Sequence, residues 1–179
     1  MKPSKSYLVS SLVALFVLLL SVQVQAQENV AEIPDSTITK EVLKNIRYNL
    51  FYTVFDWVTV STHNGVVTLK GYVDQPWDKK FFVNIAKKVD GVKSVTDKIE
   101  KVTGLDELRY KAARVIYTSP DFEKYATLKD PPVHIVVISN RVILEGKVYS
   151  NIERKWADAL IEWHTDAFHV ENNLKVEKG

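Results

Sequence analysis

The sequence predicts an α+β protein of two tandem α-β-β-α-β domains, each a three-stranded sheet covered on one face by two helices. Two observations support this fold class. The chain repeats itself at an interval of 75 residues, and each copy alternates between helical and strand periodicity. At that interval Gly71 aligns with Gly146 and Ile99 aligns with Leu174, without a gap between them. We therefore expect two homologous domains at residues 35–103 and 104–179.

The first copy begins with a helix that Asp35 or Ser36 can cap. Alternating apolar residues on both sides of His63-Asn64-Gly65 then predict a β-hairpin, and Pro76 suits the first turn of a second helix. Val95 and Ile99 line a closing strand. The apolar face of the first helix comprises Ile38, Val42, Ile46 and Leu50, and that of the second comprises Trp77, Phe81, Phe82, Ile85 and Val89.

The second copy differs from the first at two places. Five extra residues fall within 118–132. In the hairpin, Asn140 stands at the position of Gly65, and we expect it to take the positive φ angle, which asparagine tolerates better than most residues.

Residues 1–26 have the pattern of a secretory signal peptide. Lys2 and Lys5 precede an uncharged apolar stretch, and Val24-Gln25-Ala26 fits a peptidase site. We expect cleavage after Ala26 and a short tail at 27–34. The alternative is an uncleaved anchor, since about 18 apolar residues can just span a bilayer.

The composition excludes several classes of protein. With 46% apolar residues, 26% charged residues and no cysteine, the chain of 179 residues is a folded protein without disulfides. Without residues 1–26 it carries 22 basic and 22 acidic side chains, so general binding of nucleic acid has little support.

No motif for catalysis is present. The chain has no cysteine nucleophile, serine elbow, phosphate-binding loop or zinc-protease helix. Acidic residues and histidines crowd the segment from Glu162 to His169, but their spacing matches no standard zinc site. We expect no catalytic residue, no bound metal and no cofactor.

The pattern from Asn64 to Val73, with the later Gly91-Val92-Lys93-Ser94-Val95, resembles the BON domain. The segments 140–148 and 170–174 look like a second, more divergent copy. A signal peptide followed by two BON domains is the arrangement of OsmY-like envelope proteins. This resemblance implies a non-enzymatic periplasmic protein that binds phospholipid surfaces and supports the envelope under osmotic or other stress.

The same resemblance leaves two alternatives open. A chaperone or adaptor role would mean binding other envelope proteins instead of lipid. A module that binds a small ion through backbone carbonyls would leave no sequence signature. In all three cases the partner is met at the protein surface, and membrane association is peripheral.

The predicted lipid-contact surface is the outward face of the helix expected at residues 105–117. Basic side chains there can meet anionic headgroups while tyrosine rings sit at the polar-apolar boundary. The alternative is an ordinary solvated face, or one packed on the other domain. The residues predicted for lipid contact are Arg109, Tyr110, Lys111, Arg114 and Tyr117.

A secondary basic patch is predicted on the first domain, whose net charge is +3 against −1 for the second. It comprises Lys79, Lys80, Lys87 and Lys88. A lysine-rich solvated helix explains the same pattern without any binding role.

The tryptophans divide into core and candidate contact residues. Trp77 and Trp156 are expected in the cores, because they fall on apolar helix faces. Trp163 lies at the edge of such a face and aligns with Lys88, so we expect it to pack between the domains or to contact a partner.

Overall fold

The computed structural model describes residues 32–104 and 106–177. Its first repeat has the order α-β-β-α-β. Asp35–Arg47 forms α1, Trp57–His63 forms β1, Val66–Val73 forms β2, Pro76–Ala86 forms α2 and Ser94–Lys101 forms β3. Strand β1 pairs antiparallel with β2, and β2 pairs parallel with β3. This is the predicted hairpin followed by a helical crossover.

The second repeat has the same order with a longer connection. Asp106–Tyr117 forms α3, Val133–Ile138 forms β4, Arg141–Val148 forms β5, Asn151–His164 forms α4, and His169–Asn172 and Lys175–Val176 form β6 and β7. Strand β5 pairs antiparallel with β4 and parallel with both β6 and β7. The fold is therefore α+β with two α-β-β-α-β units, as predicted.

Equivalent backbone contacts recur at the 75-residue interval. The N–H of Lys93 donates to the carbonyl of Gly65, and the N–H of Phe168 donates to the carbonyl of Asn140. Gly71 and Gly146 have φ angles of 137° and 116°. A Cβ at either glycine would overlap the carbonyl oxygen of the residue 14 positions earlier. The repeat thus extends from sequence to the details of the backbone.

Each sheet has one face covered by its own two helices. In the first repeat, Ile38, Val42 and Ile46 of α1 and Phe82 of α2 are buried against the sheet. In the second repeat, helices α3 and α4 cover β4 and β5. The long connection adds Phe122 and Tyr125 to that core, through a 3₁₀ turn at Glu123–Tyr125.

The two repeats meet along a seam within one compact unit, Ile33–Gly179. A third apolar cluster forms there, on the faces of the two sheets that the helices do not cover. The N–H of Ile135 also donates to the carbonyl of Val54 at 2.7 Å, which joins β4 to the loop before β1. Because this seam covers β4 on its second side, the strand is buried on both faces. The cluster comprises Trp57, Tyr72, Val102, Val136, Ile138 and Ile143.

Local details of three elements differ from the sequence expectations. The carboxylate of Asp35 does not cap α1; it accepts hydrogen bonds from the N–H groups of Asn64 and Gly65, and those bonds lower its pKa. Helix α1 ends at Arg47, so Leu50 lies outside its apolar face. In the second hairpin Ser139, not Asn140, has the positive φ angle, 55°.

Candidate functional site

The outward face of α3 keeps three of the five predicted lipid-contact residues. Leu108, Ala112 and Ile116 point into the second core, which turns Tyr110 and Arg114 toward solvent. Lys111 is half-buried, and its ammonium pairs with the carboxylate of Asp166 at 2.7 Å. We call Tyr110, Lys111 and Arg114 the α3 face. Leu105, the first residue of the helix predicted at 105–117, lies outside the described residues.

Arg109 does not belong to this face, and its predicted outward position is wrong. It is 6% exposed and pairs with Asp74, which belongs to the first repeat, and with Asp106. Its guanidinium lies 5.0 Å from the ring centres of both Phe55 and Tyr110. A charged group this deeply buried needs a carboxylate partner, and Asp74 supplies one across the seam.

Tyr117 is also directed inward rather than to solvent. Its hydroxyl donates to the carbonyl of Val133, and its ring packs against the second core. Burial raises the pKa of this hydroxyl above its usual value. Tyr117 therefore anchors the end of α3 on β4 and contributes nothing to the outward surface.

A groove of about 490 Å³ runs between α3 and α4 beside the α3 face. Its apolar part comes from Val115, Trp156 and Leu160, and its cationic side chains are Lys111 and Arg114. The guanidinium of Arg114 forms no ion pair within the described part of the chain. The remaining lining residues are Thr118, Ser119, Pro120 and His164.

Trp163 lies near this groove and remains exposed. Its ring meets that of Trp156 edge-on, with the centres 5.7 Å apart. The packing between repeats expected for Trp163 is not observed. Trp156 is partly buried against the second core, as expected, whereas Trp77 is exposed and the expectation of a core position is wrong.

The four lysines of the predicted basic patch lie on α2 or directly after it, and they differ in their contacts. The ammonium of Lys79 is tied to the carbonyl of Ile99 at 2.7 Å and to Asp97 at 3.4 Å. Lys80, Lys87 and Lys88 are exposed, and none of these three forms an ion pair with another described residue. Of the four lysines of the predicted patch, these three are free to meet an anionic partner.

The structure also exposes Leu50, Trp77 and Phe81, which the sequence placed on buried helix faces, together with Phe51. Leu50 and Phe51 lie in the loop after α1, and Trp77 and Phe81 lie on the outer side of α2. The apolar pair Leu50-Phe51 directly follows the polar Tyr48-Asn49. A helix end recognised before this pair would have indicated its exposure.

Residues 32–104 and 106–177 contain no cluster of side chains that could hold a metal ion. No three histidine, aspartate or glutamate side chains converge there as metal ligands would. His134 is buried in the seam between the rings of Tyr52 and Trp57. The part of the chain that the structure describes also holds no helix with the length and apolarity needed to cross a bilayer. Ala26 and the predicted signal peptide lie outside that part.

The arrangement defines a two-repeat α+β protein with an apolar groove and exposed apolar side chains at its surface. The BON domain family model matches residues 34–102, which correspond to the first repeat. Residues 34–102 are therefore a BON domain. BON domains are generally non-enzymatic binding modules.

Other comparisons add little. A search of curated proteins finds no match. Among solved structures, the chain is similar to the C-terminal domain of CdsD, a structural protein of the type III secretion system of Chlamydia trachomatis. That match has 14% identity and a TM-score of 0.32, and covers 81% of this chain and 67% of the other. A second CdsD structure has 14% identity and a TM-score of 0.26, with 77% and 93% covered. At these TM-scores we infer nothing from the likeness.

Proposed function

We propose that this chain is exported to the bacterial periplasm, where it binds anionic phospholipid surfaces peripherally and catalyses no reaction. In this proposal residues 35–103 and 104–179 are tandem BON domains of the OsmY-like type, and the binding supports the envelope under osmotic or other stress. The signal-like segment 1–26 and the BON match at residues 34–102 support export and membrane association.

The observation that carries the lipid proposal is the groove beside the α3 face. It combines an apolar lining with the unpaired guanidinium of Arg114, and Tyr110 lies exposed on the same helix. Acyl chains favour the apolar lining and phosphate groups favour the guanidinium. A tyrosine ring suits the boundary between the acyl chains and the headgroups. A chemically neutral groove would offer no such preference for anionic over neutral lipid.

Co-sedimentation with vesicles of neutral and of anionic phospholipid, at low and at high salt, tests the proposal. We expect selective binding to anionic vesicles that weakens with salt. Arg114→Glu is expected to reduce that binding about five- to thirtyfold, because each basic residue near such a surface contributes about 1 kcal/mol and the substitution changes the charge by two. Lys70→Glu is the matched control, since Lys70 is exposed on β2 and the charge change is the same. Equal retention by both vesicle types would refute the proposal.

Binding to other envelope proteins is a second candidate function. It is favoured by α4, which exposes Ile152 at its start and Trp163 near its end. Apolar side chains in solvent are typical of contact surfaces for proteins as well as for lipids. In this case an unfolded client should be recovered in higher yield with the chain present, and Ile152→Ser should remove that gain.

A further inference from the structure

The loop after α1 and the outer side of α2 together form an exposed apolar surface on the first repeat. Leu50 is 85% exposed, Trp77 61%, Phe51 52% and Phe81 36%. The rings of Phe51 and Phe81 meet edge-on, with their centres 5.0 Å apart. Four large apolar side chains at the surface of one small repeat exceed the scattered single residues that need no explanation.

This surface is connected to the α3 face by the same loop. Four residues beyond Phe51, the ring of Phe55 meets that of Tyr110 edge-on, with the centres 5.5 Å apart. Arg109 fixes the contact, since its guanidinium lies against both rings. The loop thus contacts α2 of the first repeat through Phe51 and α3 of the second through Phe55. We call Leu50, Phe51, Phe55, Trp77, Phe81 and Tyr110 the aromatic band.

Cationic side chains lie at both ends of the aromatic band. On α2, Lys80 lies within one helical turn of both Trp77 and Phe81 and is exposed without an ion pair among the described residues. On α3, Arg114 follows Tyr110 by one turn. Interfacial segments combine apolar and aromatic residues with lysine or arginine in this way, because the rings enter the headgroup layer while the cations meet phosphate.

We propose that Leu50 and Phe51 anchor the chain in the headgroup region of an anionic phospholipid bilayer, so that both repeats contribute to one membrane-facing surface. This inference rests on the proposed lipid binding and adds the α1–β1 loop as the part that enters the bilayer. Leu50 is the most exposed member of the band and has no packing partner in either apolar core. Most of its side chain can therefore leave water on insertion.

Fluorescent labelling of the full chain provides a direct test, because the sequence contains no cysteine. A Leu50→Cys variant labelled with nitrobenzoxadiazole should brighten and shift to the blue on phosphatidylglycerol-containing vesicles, but not on phosphatidylcholine vesicles. The same label on Lys70→Cys, on the helix-free face of the first sheet, should not respond. An unchanged spectrum at Leu50 in a chain that sediments with the vesicles overturns the inference.

A binding experiment separates this inference from the function on which it rests. Leu50→Ser should weaken binding to anionic vesicles about fivefold, and Leu128→Ser, on the second repeat, should not. If Arg114→Glu loses binding and Leu50→Ser keeps it, lipid binding stands and the anchor is wrong, which leaves the band to a protein partner. If the unmodified chain binds no anionic vesicle, both proposals fail.

Discussion

Replacing Arg109 by methionine removes a buried cation from the seam and keeps most of the aliphatic volume of the side chain. The arginine side chain is 7% exposed, and its two carboxylate partners differ in burial: Asp74 is 13% exposed and Asp106 is 77% exposed. The substitution leaves Asp74 without its cation in a nearly water-free position. Asp106, in contrast, is solvated in either case.

The two pairs should therefore differ strongly in energy. Removing one partner of a buried pair costs about 3–5 kcal/mol, whereas an exposed pair contributes about 1 kcal/mol or less. We expect Arg109→Met to lower the free energy of unfolding by about 3 kcal/mol. For a folded part of this size, that loss corresponds to a fall in melting temperature of about 6–12 °C.

Urea unfolding in two double-mutant cycles that share Arg109→Met measures the effect. Arg109→Met and Asp74→Asn should show a coupling energy of about 2 kcal/mol or more, and Arg109→Met with Asp106→Asn should show less than 1 kcal/mol. Equal couplings would refute the assignment of Asp74 as the principal partner. At a temperature where both variants are folded, Arg109→Met should bind anionic vesicles no more weakly than Asp74→Asn, because both substitutions loosen the contact between Tyr110 and Phe55. A larger loss for Arg109→Met would restore Arg109 to the lipid-contact residues.

Three further predictions concern stability. Gly71→Ala and Gly146→Ala should each destabilise the fold by about 2 kcal/mol or more, because a Cβ would meet a backbone carbonyl at a positive φ angle; urea midpoints near that of the unmodified chain would contradict this. Burial raises the pKa of Asp78 to about 6. The folded chain therefore binds more protons between about pH 4 and 6 and loses stability as pH rises through that range. Melting scans should show Asp78→Asn stabilised at pH 7 and nearly unchanged at pH 4. Tyr117→Phe should cost about 1 kcal/mol in urea unfolding without altering vesicle binding.

The features that depend on local sequence were predicted well. Both hairpins, the two helices of each repeat and the crossover to the closing strand follow from periodicity, Pro76 and the turn residues. The second hairpin shows where local rules stop. Its loop offers Ser139 and Asn140. The alignment with Gly65 and the residue preference favoured Asn140, although the backbone places Ser139 at positive φ. A two-residue loop contains two candidate positions, and strand register decides between them.

The candidate site was predicted less well, because it depends on where helices end and on what the other repeat covers. A four-residue apolar spacing continues from Ile46 to Leu50, yet the helix ends at Arg47, and the next apolar residues face solvent. Arg109 was predicted for lipid contact, but Asp74 of the other repeat pairs with it in a buried position. The apolar run of β4 was the available signal of the seam, since strands covered on both faces lack alternation.

The seam explains why stability and the proposed binding surface are linked in this chain. Arg109 turns inward to meet Asp74, and the same contact sets Tyr110 against Phe55 and so aligns the α3 face with the loop of the first repeat. Neither repeat contains the aromatic band alone, because its members come from α2, the α1–β1 loop and α3. Weakening the Arg109–Asp74 pair should therefore separate Tyr110 from Phe55 before it unfolds either core, and binding that uses both ends of the band should decline in proportion.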